Sequence, residues 1–232
     1  MFWNKFFSKP STPTAKVDYD FYFNTDKHGD INLSVLNLGN LNVTSGQLVV
    51  CDPLVNLGDT SPFARQIPAG QYPVNIAVAD NTEMGERYAL ARLELSAKRA
   101  ERWELAYTLA VESKVSTLKD DEYFGFPVDA GLGCFCDHQA QLAYARFSAD
   151  FMAKNPEANM YDDYFAAEFK KNAIKQDDPN DIGDWLNYTV PNTNNNVIMF
   201  HSGFGDGYYP CYWGLDKNGQ LTALVIDFQV FG

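Results

Sequence analysis

The sequence predicts an α+β fold: a single domain on a curved, mainly antiparallel β-sheet or partial barrel, with two or three helices inserted mid-chain. Three observations predict it. Short apolar runs between turn residues fill both ends of the chain. Two segments with helical spacing occupy the middle. No ~18-residue apolar run, internal repeat or low-complexity tract interrupts the pattern. Of the 232 residues, 46% are hydrophobic and 15% aromatic, enough to bury a sizeable core and to exclude disorder as the main state.

Residues 1–16 read as a flexible leader and 17–232 as the domain. The first ten residues are apolar and weakly basic but stop at Lys9-Pro10, short of a signal-peptide core. Phe2, Trp3, Phe6 and Phe7 read more readily as a frayed or packed terminus than as lipid contact. Strands follow at 31–38 and 47–51, separated by Gly39-Asn40 and Ser45-Gly46. Pro53, Pro62 and Pro68 mark an irregular stretch before the alternating strand 72–78. Segments 86–95 and 103–110 are predicted as the next strands, with helix an open alternative over 88–110 because Ala, Leu, Glu and Arg dominate there.

Asp137 is the expected N-cap of the first mid-chain helix, which Asn155-Pro156 ends. A second helix is expected over 162–174, followed by a polar loop at 177–181. The last third is β-rich. Strands are predicted at 197–200, 208–215 and 221–231. Pro210 suggests an edge or bulge within the second, and Asp216-Lys217-Asn218-Gly219 is a hairpin turn.

The formal charge is −12, with acidic clusters at 120–122 and 177–184. Phosphate contacts need clustered Lys and Arg, so the balance argues against nucleic acid and favours a basic protein partner. Four cysteines, Cys51, Cys134, Cys136 and Cys211, are too few for a disulfide framework and suggest reduced thiols in a cytoplasm.

The densest chemical signal is His201-Ser202-Gly203-Phe204-Gly205-Asp206-Gly207. Its glycines permit positive φ, so the loop can expose backbone N–H groups or one carboxylate. It reads first as a tight β-connection in which Asp206 bonds its own backbone. No Lys-Ser/Thr follows, so it is not a phosphate-binding P-loop. Asp52, in Cys51-Asp52-Pro53, reads first as a turn cap. With Asp129 and Asp206 it would form a divalent-metal cluster if the fold brought the three together. Cys134, Cys136 and His138 would share a face if 134–138 were extended, but Cys-x-Cys is tighter than ordinary zinc spacing. His201 and Ser202, as neighbours on a strand, point to opposite faces, so that pair is poor, and the pairing of Cys211 with His201 is a weak bet. Tyr208, Tyr209, Tyr212 and Trp213 would place half of an aromatic strand in the core and half on a contact surface.

Several segments, Ser45 to Leu54, Ile67 to Val74, Arg102 to Ala106, Phe124 to Gly131 and His201 to Gly207 among them, resemble an uncharacterised bacterial domain family. Its hallmark is a Ser-Gly-x-Gly-Asp-Gly segment, and the resemblance spans about residues 35–231. More loosely, Gly205-Asp206-Gly207-Tyr208-Tyr209 and the strands around it resemble the Gly-Asp-Tyr strand pair of immunity proteins in polymorphic toxin systems. This chain is longer, and a glycine separates its aspartate from the tyrosine. That likeness implies a cytoplasmic, non-catalytic protein without cofactor that occludes a toxin or effector. Contact candidates are Asp206, Tyr208, Tyr209, Trp213, Asp120, Asp121 and Glu122; neither nucleic acid nor membrane is expected as a partner. The alternative is a metal-dependent hydrolase or other enzyme using Asp52, Asp129 and Asp206, with His201 as a further catalytic candidate.

Overall fold

Alternation along the strands decides the layering. Leu48 and Val50 face one core while Val49 and Cys51 face another. Phe135 is divided in the same way from Cys134 and Cys136, and Ile198 and Phe200 from Val197 and Met199. The computed structural model describes residues 12–119, 122–175 and 177–231. Residues 1–11, with Phe2, Trp3, Phe6 and Phe7 of the expected frayed or packed terminus, lie outside that range, as do Asp120 and Asp121.

In chain order the strands are β1 Thr14–Ala15, β2 Lys27–His28, β3 Ile31–Val43, β4 Leu48–Cys51, β5 Gly70–Asp80, β6 Arg87–Glu94 and β7 Arg102–Ala106. They continue as β8 Gly125–Val128, β9 Leu132–Asp137, β10 Trp185–Thr189, β11 Asn196–His201, β12 Gly207–Leu215 and β13 Leu221–Asp227. The first sheet runs β1-β7-β12-β13-β6-β5-β3-β2, with β8 on the first half of β12, and the second runs β10-β11-β9-β4. Helices are α1 Tyr19–Tyr22, α2 His138–Lys154 and α3 Ala166–Lys170. A 3-10 helix covers Leu109–Thr117, and a π-helical turn, Tyr161–Phe165, leads into α3.

The central core lies between the sheets, with Ile76, Leu93, Trp213 and Leu224 from the first meeting Val50, Phe135, Ile198 and Phe200 from the second. The outer face of the second sheet is covered by α2, the π turn and α3 through Tyr144, Phe165 and Phe169. Tyr19 and Phe23 cover the outer face of the first.

The α+β expectation is corrected. The fold is mainly β, and among the described residues its two antiparallel sheets close into no barrel. Antiparallel pairing and the mid-chain helices stand. What the pattern missed is β8, β9 and β10, short runs to which it assigned no strand; two of them build the second sheet with β4 and β11. The predicted strand 103–110 stops at Ala106 and gives way to the 3-10 helix. β1 pairs Thr14 with Glu104 and Ala15 with Trp103, so paired structure begins inside the predicted leader.

Candidate functional site

The Gly-rich connection between β11 and β12 is tied down from both sides. The Ser202 N–H donates to the Gly131 carbonyl at 3.1 Å, and the Gly205 N–H donates back to the Ser202 carbonyl at 2.7 Å. The Ser202 hydroxyl and the Tyr209 phenol both donate to the Gly205 carbonyl, at 2.9 and 2.8 Å. Gly203 takes φ 53° against Phe228, where a Cβ would come within 2.9 Å of the Phe228 Cβ. A turn held this way has no room for its large residue inside. Phe204 is therefore turned out, 61% exposed, with the Arg87 guanidinium 5.4 Å from its ring centre. At the start of β12, Tyr208 is 47% exposed and stacks on Tyr123 at 6.1 Å. The Tyr123 hydroxyl donates to the Tyr208 carbonyl and accepts from Gln229 Nε2.

Carboxylates gather beside this loop. His201 Nδ1 lies 3.1 Å from Asp184 Oδ1, and the His201 backbone N–H donates to the Asp184 carbonyl. Partial burial, then the charges of Asp184 and Asp80, raise the Glu86 carboxyl above its ordinary range. Burial, then Asp184, Glu86 and Asp181, push the Tyr88 phenol up as well. Acids from the end of β5, the β5–β6 turn and the 177–184 loop thus act on one another. The exposed Asp206 adds to the upward push of burial on Tyr209.

The predicted residues separate into those that meet and those that do not. Asp52 is fully buried at the end of β4. Its Oδ2 accepts from the N–H groups of Asp129 and Ala130 at 3.0 and 2.7 Å, and its Oδ1 accepts from Leu54 at 3.1 Å. Asp52 and Asp129 are therefore neighbours, but the contact is carboxylate to backbone and the Asp129 residue is exposed. This is the turn-capping role. Among the described residues no group of three or more His, Cys, Asp or Glu side chains is placed to hold a metal ion, so Asp52, Asp129 and Asp206 do not form the shared cluster. Asp206 makes no hydrogen bond to its own backbone; Ser202 and Tyr209 close the turn instead.

Tyr209 and Trp213, expected as contact residues, are buried and present no surface to a partner. Trp213 packs edge-on against Phe63 at 5.8 Å. Asp206, Tyr208 and Glu122 are exposed. Cys51, Cys134 and Cys136 are buried free thiols, with Cys51 Sγ 3.8 Å from Cys134 Sγ. Burial and the neighbouring thiol push Cys51 up, and Cys134 and burial do the same to Cys136. His138 stands apart from them, its Nδ1 paired with Gln141.

A family model described as a protein of unknown function, DUF4241, matches residues 41–226. The chain belongs to this family. The DUF4241 region takes in the whole second sheet, most of the first and the Gly-rich loop, and leaves out β1, α1, β2 and the part of β3 before Leu41. No curated protein and no solved structure matches the chain. Among the described residues no helix is long and apolar enough to cross a membrane. Sequence reasoning missed Phe204, Tyr123 and Glu86. The signal for Phe204 was present: a phenylalanine between two glycines on a short β-connection has nowhere to be buried.

Proposed function

We propose that this chain is an immunity-type binding protein. It neutralises a bacterial toxin or effector in the cytoplasm by covering that partner's active surface with a preformed acidic and aromatic face. The observation that carries the reading is Phe204, turned out to solvent on a loop closed by Ser202 and Tyr209, with the β5–β6 turn that carries Glu86 and Arg87 packed against it. Exposed aromatics on a rigid turn lose little entropy on docking and make good anchors. Clustered acids are unfavourable in the free protein and are relieved by a basic partner, whose approach they steer. Tyr208, Asp206 and Glu122 extend the face; the Gly-Asp-Gly-Tyr-Tyr likeness supports the same style of action.

The test is co-expression with the product of the adjacent gene. That product alone should arrest growth, and this chain should restore it and co-purify with it. Phe204→Ala and Tyr208→Ala should each weaken the complex about tenfold or more, with the fold unchanged. Glu86→Lys should slow association most at low salt. A neighbour harmless on its own, or rescue indifferent to all three changes, overturns the proposal.

A further inference from the structure

A second feature shares no residue with that face. A cleft of about 540 Å³ lies between α1, the outer face of β6 and the 96–99 loop. At its floor the Arg92 side chain is only 14% exposed and its guanidinium lies 4.1 Å from the Phe23 ring centre. Nη1 is 3.4 Å from Asp20 Oδ1 and Nη2 is 3.3 Å from Glu94 Oε2. Guanidinium–carboxylate bonds ordinarily close to about 2.7–2.9 Å. Both pairs are stretched, and the buried Arg92 Nε has no partner among the described residues. Asp20 is committed elsewhere, its Oδ2 accepting from the Ala100 N–H at 2.8 Å. The hydrogen bonds to Glu94 fall on Oε2, which leaves Oε1 able to accept. The hydroxyl of Thr222, a cleft-lining residue 2% exposed, is also unpartnered among the described residues.

At the rim, Lys98 and Arg99 are exposed, each on one carboxylate outside the cleft: Asp216 and Asp18. The lining therefore carries three cations and two carboxylates in a chain whose net charge is −12. A simple anion entering here meets Asp20 and Glu94. A simple cation meets Arg92, Lys98 and Arg99. A molecule carrying both charges within a few ångströms satisfies both sets, and the volume suits a small metabolite.

We propose that this cleft binds a small zwitterion of the free amino acid class. Its carboxylate sits toward the exposed edge of the Arg92 guanidinium and the rim cations, and its ammonium toward Glu94 Oε1. Ligand burial removes water from a guanidinium whose own bonds are loose, which is where a charged hydrogen bond gains most.

The test titrates the purified full chain with each free amino acid, with the matching amine lacking the carboxylate, with the matching acid lacking the amine, and with inorganic phosphate. Calorimetry and thermal unfolding are read together. One or more amino acids should bind at a single site and raise Tm, while the matching amine and acid bind at least about tenfold more weakly. Glu94→Gln and Lys98→Met should each weaken binding about tenfold or more; Lys98→Met, at a side chain 63% exposed, should leave the Tm of the free protein nearly unchanged, and binding to Glu94→Gln is read against that variant's own free Tm. Phe204→Ala should bind as the parent does, which separates this result from that of the docking face. The proposal is overturned by phosphate or the lone acid binding as well as the amino acid, by no amino acid binding at about 10 mM, or by binding indifferent to both cleft variants.

Discussion

Asp137 does the work of several residues. Fully buried at the end of β9, it caps α2 by accepting from the Gln139 N–H at 2.8 Å. It also accepts from the N–H and hydroxyl of both Thr44 and Ser45. One carboxylate thus starts a helix and anchors the β3–β4 turn. Asp137→Ala would strand these donors, and we expect a loss of ~3 kcal/mol or more in urea denaturation. Asp227 behaves oppositely. Burial raises its carboxyl above the ordinary range, against the lowering pull of the Gln229 N–H and the Tyr19 hydroxyl. An acid whose folded pKa exceeds its unfolded value favours folding at pH below the unfolded value, and that contribution fades as pH rises through the folded one. The parent should therefore lose stability relative to Asp227→Asn as pH rises from about 4 to 7. A pH-independent difference in urea midpoints would refute this. At this scale the capping of Asp137 and the turn role of Asp52 were legible, because short polar side chains at element ends have few other uses. The burial of Tyr209 and Trp213 was not. Alternation puts Tyr209 and Trp213 on one face and Tyr208 and Tyr212 on the other, but which of the two faces the core is set by the second sheet packed against it.

The Gly-rich turns set the geometry of the elements. Gly46 takes φ 79° where β3 turns into β4, and a Cβ there would sit 2.4 Å from the Ile67 carbonyl oxygen. Gly29, between β2 and β3, takes φ 61° with nothing within 4 Å of the same atom. Gly29→Ala should cost ~1 kcal/mol, the backbone penalty alone. Gly46→Ala should cost clearly more, because a backbone carbonyl must also move; equal midpoints for the two variants would show that the turn adapts freely. Pro210 marks another junction. β12 pairs with β8 through Gly207–Pro210 and with β7 and β13 from Cys211 onward, so the proline stands where the strand changes neighbours. The proline signal for an edge was readable in sequence, as was the hairpin at Asp216–Gly219, closed by Asp216 N–H to Gln220 O at 2.9 Å. The second mid-chain helix was readable only in outline. Its first turn is π-helical, a hydrogen-bond shift that side-chain spacing does not record.

For the molecule as a whole, asparagines bridge the two sheets. Asn187 Nδ2 donates to the Leu38 carbonyl and Asn196 Nδ2 to the Asn40 carbonyl, while the Asn42 N–H donates to Asn196 Oδ1. These bonds occupy the outer edge of β3, which would otherwise be open to pairing with another chain. Nothing in a single sequence announces that an asparagine of one sheet will satisfy a strand of the other, so the two-sheet layout was hidden although most of its strands were visible. The −12 charge was visible too; that Asp80, Glu86, Asp181 and Asp184 act on one another depends on three distant segments meeting. The buried thiols turn this layout into a clock. Cys211 belongs to the first sheet and Cys51, Cys134 and Cys136 to the second, and all four are closed to solvent. An alkylating reagent added to the native protein can reach them only when the surrounding sheet opens, so labelling reads opening in real time. Because Cys211 and the inner residues of the second sheet share one core, all four should label at one slow rate. A faster rate confined to Cys51, Cys134 and Cys136 would mean that α2, the π turn and α3 lift off the second sheet while the core between the sheets stays shut.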